Sequence, residues 1–130
     1  MANFKEMEHQ GWIDKAQFYD GYFAGVTRQA IDPLLAGLGD VSGRALLDIC
    51  CGTGDLAETA AQRGAHVTGV DFAEPMIEIA RVRVPSLQFE VGDAEELEFE
   101  DASFDLAVCA FGLWHVGDPD KAISEASRVL

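Results

Sequence analysis

The stretch LLDICCGTGDLAETAA, residues 46–61, constrains this chain more than any other. An apolar run broken by one acid, Asp48, turns through Cys50, Cys51, Gly52, Thr53 and Gly54 and opens a helical pattern. Such a run reads as a strand covered on both faces. Glycine has no Cβ to hold a ligand off, so this turn lets bare backbone approach a ligand at the carboxyl edge of the strand. A nucleoside-bearing ligand suits that edge best.

The pattern then repeats in register. GAHVTGVDF, residues 64–72, reads as a second apolar strand ending in Asp71, and LQFEVGDAEEL, residues 87–97, as a third ending in Asp93. Any one of these acids is also an ordinary strand-end or cap residue. Three in this order put carboxylates along the edge where open parallel sheets bind ligands. Residues 104–110 supply a fourth strand, and helical patterns fill 55–63, 73–84 and 119–130. The last helix lies behind an Asp118 cap with Ala122, Ile123, Ala126 and Val129 facing inward. Alternating strands and helices predict an α/β fold with a parallel sheet and right-handed crossovers. The polar connection between the third and fourth strands holds no clear helix.

Ahead of the sheet, residues 1–43 read as a helical segment of the same single domain, with residues 44–130 as its core. The first eleven residues are polar and expected to fray. Trp12, Ala16, Tyr19 and Phe23 recur at helical spacing over residues 12–23, with Gly25 closing that helix. Ile31, Leu34, Leu35 and Leu38 mark a second helix over 27–38. Pro33 removes a hydrogen bond inside it, so Asp32-Pro33 is read as a restart.

Net charge is −14, which repels a phosphate backbone and disfavours a nucleic-acid substrate or an anionic membrane surface. No apolar run is long enough to span a bilayer, and the start lacks a signal-peptide pattern. The three cysteines make no disulfide framework and read as small apolar residues in a reducing compartment, so a cytoplasmic protein is expected.

LLDICCGTGDLA, GVDFAEPMIEIAR, VGDAEELEF, FDLAVCAFGLWHV and SRVL together resemble the class I S-adenosylmethionine-dependent methyltransferases. CCGTGD, AFGL and SRVL are most similar to the menaquinone/ubiquinone-biosynthesis C-methyltransferases and related small-molecule enzymes. The resemblance implies a Rossmann-like sheet of strand order 3-2-1-4, a small-molecule methyl acceptor, and S-adenosyl-L-methionine as cofactor with S-adenosyl-L-homocysteine as product. In this family SRVL is followed by a turn and three further strands, ordered 5-7-6 beyond strand four. The chain is therefore expected to be a fragment, or to complete its sheet by self-association through strand four. Either way, poor stability as a monomer and little turnover are expected.

By the same resemblance, Asp48 organises the turn and helps hold the methionine end of the cofactor. Its alternative is an acid fixing the turn alone. Gly52 and Gly54 allow close approach, while Cys50 stands where glycine is commoner and is expected to keep a negative φ. Asp71 accepts both ribose hydroxyls, a task for a group with two acceptor oxygens and no donor. Phe72 and Met76 flank the adenine, or are plain core. Asp93 and the Ala94 N–H read the adenine edge. Ala110 and Phe111 border the methyl group, and Tyr19 either covers that end or simply packs. His115 is the candidate general base, against a packing or capping role. Trp114 and His115 depart from the quinone-type pattern, which puts a quinone precursor in doubt as acceptor.

Two rival readings stay open. One is a noncatalytic module that binds the cofactor but has no acceptor site. The other is a dinucleotide-binding domain, because GTGDLA fits G-x-G-x-x-A and Asp71 follows at a suitable interval. Against the latter, Asp55 places a negative charge where a pyrophosphate would sit.

Overall fold

The computed structural model describes the backbone of all 130 residues and every side chain except those of Asp20 and Tyr22. Four strands form one all-parallel sheet in the order β3-β2-β1-β4: β1 Ala45–Ile49, β2 His66–Asp71, β3 Gln88–Val91 and β4 Leu106–Cys109. Three helices follow β1, β2 and β4 in turn: α5 Asp55–Gln62, α6 Glu74–Arg83 and α7 Pro119–Arg128. The expected fold and strand order hold.

Alternation along β1 explains why the sheet needs cover on both sides. Leu46 points into a core built with Leu35, Leu56, Ala60, Ile77 and Phe89. Leu47 and Ile49 point into the opposite one, with Val70, Leu97, Ala122 and Val129. Each helix starts where its sequence allows. Gly54, at φ 89°, turns the chain into α5, Pro75 occupies the first turn of α6, and the Asp118 carboxylate caps α7 by accepting from the Lys121 N–H. The helix-free connection between β3 and β4 is tied down by Arg128. Its guanidinium donates to the carbonyls of Leu97 and Phe99, each at 2.8 Å. Ile123 departs from expectation: it is 54% exposed, because Ala122, Ala126 and Val129 fill the inward stripe without it.

The N-terminal segment is more ordered and more broken than expected. Residues 4–11 are not frayed; they belong to α1, Phe4–Lys15. Asn3 accepts from the Glu6 N–H while Glu6 accepts from the Asn3 N–H, a reciprocal cap that satisfies two orphan donors. The single helix expected over 12–23 is divided among α1, a 3₁₀ turn at Ala16–Phe18 and α2, Tyr19–Tyr22. Gly25 does not close it but lies inside α3, Ala24–Thr27. After a 3₁₀ turn at Arg28–Ala30, α4 spans Ile31–Leu38. Asp32 and Pro33 sit in its first turn, where proline's missing donor costs nothing.

β4 pairs only with β1 among the described residues. It is four residues long, and short edge strands are a common way of avoiding edge-to-edge pairing. Nothing in the fold supports self-association along it. No described helix is long and apolar enough to cross a membrane.

Candidate cofactor site

The carboxyl ends of all four strands open into one cavity of about 490 Å³, within the range of small-molecule sites. Its floor is the strand-end loops. Its roof comes from the N-terminal segment and from the 3₁₀ turn Gly112–His115.

Asp71 sits at the rim, 7% exposed. Its Oδ2 accepts the Gly52 N–H and its Oδ1 the Ala73 N–H, both at 2.9 Å. Burial pushes its pKa up, opposed by those two N–H groups and by His9 and His115. Each oxygen retains acceptor capacity toward the cavity, which suits a vicinal diol. Phe72 and Met76 stand beside it and supply apolar surface. A Cβ at Gly52 would meet nothing within 4 Å, so this backbone is open, as a close ligand approach requires.

Gly54 is placed elsewhere. A Cβ there would come within 3.0 Å of the Phe89 ring, so this glycine makes room for the core and not for a ligand. Asp48 lies behind the cavity, 1% exposed, with its Oδ2 unpartnered among the described residues. Burial drives its pKa well above the usual carboxylate range, helped by Cys109 and Asp71 and opposed by the Ala57 N–H.

Cys50 corrects an expectation. Its φ is +58°, in the left-handed region that usually costs an L-residue about 1–2 kcal/mol. The side chain finds room because Gly112 packs against it: a Cβ at Gly112 would lie 2.4 Å from Cys50 Cβ. Phe111 also has a positive φ, 65°, and with Ala110 borders the cavity at the end of β4.

Asp93 and Ala94 line the third side. Asp93 accepts the Glu95 N–H at 2.9 Å through Oδ1 and pairs with Lys5 Nζ through Oδ2. Lys5 is also 3.2 Å from Glu95, whose carboxylate accepts the Gly117 N–H at 2.9 Å. The Asp93 carboxylate is the main cause that raises the Lys5 pKa.

At the roof, His115 Nδ1 is 2.6 Å from Glu8 Oε2, and the imidazole meets the Trp12 ring edge-on at 4.9 Å between centroids. Tyr19 lines the cavity while its hydroxyl lies 3.1 Å from Thr27 Oγ1. The cavity therefore brings together Tyr19, Cys50, Gly52, Asp71, Phe72, Met76, Asp93, Ala94, Ala110, Phe111 and His115, and leaves out Asp48 and Gly54. Lys5, Glu8 and His9 were not anticipated. The Asn3-x-x-Glu6 pair was the visible sign of a helix there.

Asp55 opens α5 with its carboxylate paired to two arginines. Asp55 Oδ1 accepts from Arg28 Nε at 2.9 Å and Arg83 Nη2 at 2.8 Å. Those cations hold its carboxyl below the usual range against the opposing effect of burial. Both cations are thus committed to an acid of the chain itself.

Residues 46–130 match the methyltransferase domain family, and the chain belongs to that family, the class I S-adenosylmethionine-dependent methyltransferases. It is similar to a demethylmenaquinone methyltransferase of Renibacterium salmoninarum, 38% identical over 81% of this chain and 44% of the relative. It is also similar to a ubiquinone biosynthesis O-methyltransferase of Paracidovorax citrulli, 32% identical over 100% of this chain and 56% of that one. Among solved structures, an S-adenosylmethionine-dependent methyltransferase from Mesorhizobium loti superposes with a TM-score of 0.70 at 31% identity. That match covers 76% of this chain and 47% of the other. The chain spans about half the length of the curated relatives it matches.

Proposed function

We propose that this chain binds S-adenosyl-L-methionine along the carboxyl edge of its sheet and serves methyl transfer to a small-molecule acceptor in a reducing, cytoplasmic setting. The observation that carries this reading is Asp71: a buried carboxylate, fixed by two backbone N–H groups, with acceptor capacity left at the cavity rim. It takes the ribose hydroxyls. Phe72 and Met76 hold the adenine, and Asp93 with the Ala94 N–H reads its edge. The open backbone at Gly52 admits the amino-acid end.

When bound, the cofactor supplies an electrophilic methyl on a sulfonium. The rest of the work is positioning, which supplies much of the rate in such a displacement. Trp12, Tyr19, Phe23, Val26, Phe111 and Trp114 give the acceptor an apolar, aromatic chamber. An apolar planar acceptor fits it better than a nucleic acid, which the net charge of −14 repels. Glu8 fixes the Nδ1 side of His115 and leaves the other ring nitrogen to take a proton from an acceptor that must lose one.

Incubation with methyl-labelled cofactor and a panel of phenols and quinols tests this. Label should move to a small organic product, and His115→Ala should lower turnover by about 10²-fold with cofactor affinity nearly intact. If His115→Ala abolished binding and activity merely followed occupancy, the general-base role would be wrong. Intact binding with no transfer to any acceptor would instead favour a noncatalytic binding module.

A further inference from the structure

Cys50 and Cys109 meet in space although they are far apart in sequence. Cys109 ends β4 in register with Ile49, the residue before Cys50. Both thiols pack against the same core, whereas Cys51 belongs to the opposite face and donates to the Gly52 carbonyl at 3.7 Å. The left-handed backbone at Cys50 is what turns its side chain toward β4. A methyl placed on Gly112 would lie 2.6 Å from Cys50 Sγ and 2.8 Å from Cys109 Sγ, so both sulfurs converge on one bare Cα. Neighbouring strands lie about 4.8 Å apart, and a disulfide joins Cα atoms about 4.4–6.8 Å apart.

The surroundings distinguish the two sulfurs. Cys109 has the Cys50 thiol and the backbone N–H groups of Gly112 and Leu113 as its polar neighbours. Together they draw the Cys109 thiol below its ordinary range, against burial. The Cys50 thiol moves up, through the neighbouring Cys109 and its own burial. Cys50 lines the cavity, which gives a small oxidant a path to the pair.

We propose that Cys50 and Cys109 form a redox-active dithiol that closes to a disulfide under peroxide and reshapes the floor of the cavity. The Cys109 thiolate attacks one oxygen of hydrogen peroxide; the O–O bond breaks, leaving a sulfenic acid, and the departing hydroxide becomes water on taking a proton. Cys50 sulfur then attacks the sulfenic sulfur. The S–S bond forms, the S–O bond breaks, and the hydroxyl leaves as a second water with the Cys50 proton. Two thiols are oxidised by two electrons and one peroxide is reduced. A dithiol reductant reverses the change by exchange. Closure pins the turn after β1 to the end of β4 and disturbs Gly52, whose N–H holds Asp71. Disulfides of this kind in reducing compartments are typically transient and sensory.

The test uses the full chain titrated with hydrogen peroxide, then alkylated and weighed intact. The expected product has lost two hydrogens, retains one alkylatable thiol at Cys51, and returns to three thiols with dithiothreitol. Cys51→Ser should still close the bridge, and Cys109→Ser, checked for folding by circular dichroism, should not. A bridge between Cys50 and Cys51, over-oxidation of Cys109 without a bridge, or an unreactive pair would overturn the proposal. The effect on the cavity rests on the cofactor reading, so it is measured separately. Affinity for S-adenosylhomocysteine should drop about ten-fold on oxidation and recover on reduction. If the bridge forms and affinity stays the same, the dithiol stands and its control of the site is overturned.

Discussion

The sheet edge and the N-terminal segment reach the same cavity by different means. At the edge, Asp71, Asp93 and the Gly52 turn are placed by local units, each a strand, a loop and the start of a helix. Their carboxylates are fixed by N–H groups two residues beyond the acid or on the neighbouring strand's loop, as at Ala73, Glu95 and Gly52. The N-terminal segment has no strand to register it. It is held by side chains reaching far along the chain: Lys5 to Asp93, Glu8 to His115, and His9 Nε2 at 2.9 Å from the Phe72 carbonyl. A site built this way has a floor fixed by backbone hydrogen bonds and a roof held by side chains alone, the polar pairs above and an apolar cluster of Trp12, Ile13 and Ala16 on Ala73 and Met76. Substitutions in the floor should therefore change binding, while those in the roof should change local order and turnover.

Asp71→Ala should have the largest effect. It removes the proposed ribose acceptor and strands two buried N–H groups, so affinity for S-adenosylhomocysteine should fall by about 2–3 kcal/mol and stability by about 1–3 kcal/mol. Calorimetry and urea unfolding measure the two separately. An unchanged dissociation constant in a folded variant would remove Asp71 from the site. Asp93→Ala comes next, at about 1–1.5 kcal/mol of cofactor affinity. Its half-buried ion pair with Lys5 still faces solvent and adds little to that, so Lys5→Ala should leave affinity much closer to wild type. Equal losses in the two variants would mean that the roof and not the floor reads this edge.

Asp48 gives a test by pH. Its carboxyl is raised well above the usual value by burial, so the folded state binds a proton that the unfolded state has released. Stability is then highest below the unfolded pKa, near 3.9, and falls as pH rises toward the raised folded value. Asp48→Asn removes that dependence. The variant should match wild type near pH 4 and exceed it by about 1 kcal/mol at pH 8, measured as paired urea midpoints. A variant weaker than wild type at pH 8 would show that the unpartnered oxygen is held as a stable anion. The smallest effect is expected for Asn3→Ala, which loses a helix cap worth about 0.5–1 kcal/mol. Amide exchange should speed up over residues 4–11 and stay unchanged in β1 and β2. Equal acceleration in both would erase the distinction between floor and roof.

The same division governs what could be read from the sequence. The four strands and the three acids are legible because apolar runs, glycine turns and capping acids are local signals, whereas the strand order follows only from the family resemblance. Asp32-Pro33 reads as a restart, and the structure places both residues in the first turn of α4. The broken helices of residues 12–30 were not legible, since ring contacts such as Trp12 to Tyr19 and Trp12 to His115 set them against the sheet. Lys5 and Asp93 are 88 positions apart, and Glu8 and His115 are 107 apart. No periodicity announces such pairs. Gly54 has the pattern of a ligand-facing glycine, yet the Phe89 ring fills the space a Cβ would need. The φ of Cys50 depends on the bare Cα of Gly112, sixty-odd residues away, so a rule about Cys50 alone gave the wrong sign. Ile123 shows the limit of a helical stripe: three small or β-branched neighbours close the interface before it is reached.

Calorimetric titration of the chain with S-adenosylhomocysteine, with NAD as the comparison ligand, tests the central claim most directly. The account predicts saturable binding of S-adenosylhomocysteine at one site per chain and no heat from NAD, because Asp71 keeps acceptor capacity for a ribose while Asp55 sets a carboxylate in the first turn of α5, near where a pyrophosphate would sit. Saturable NAD binding, or no binding of S-adenosylhomocysteine by the folded chain, would contradict it.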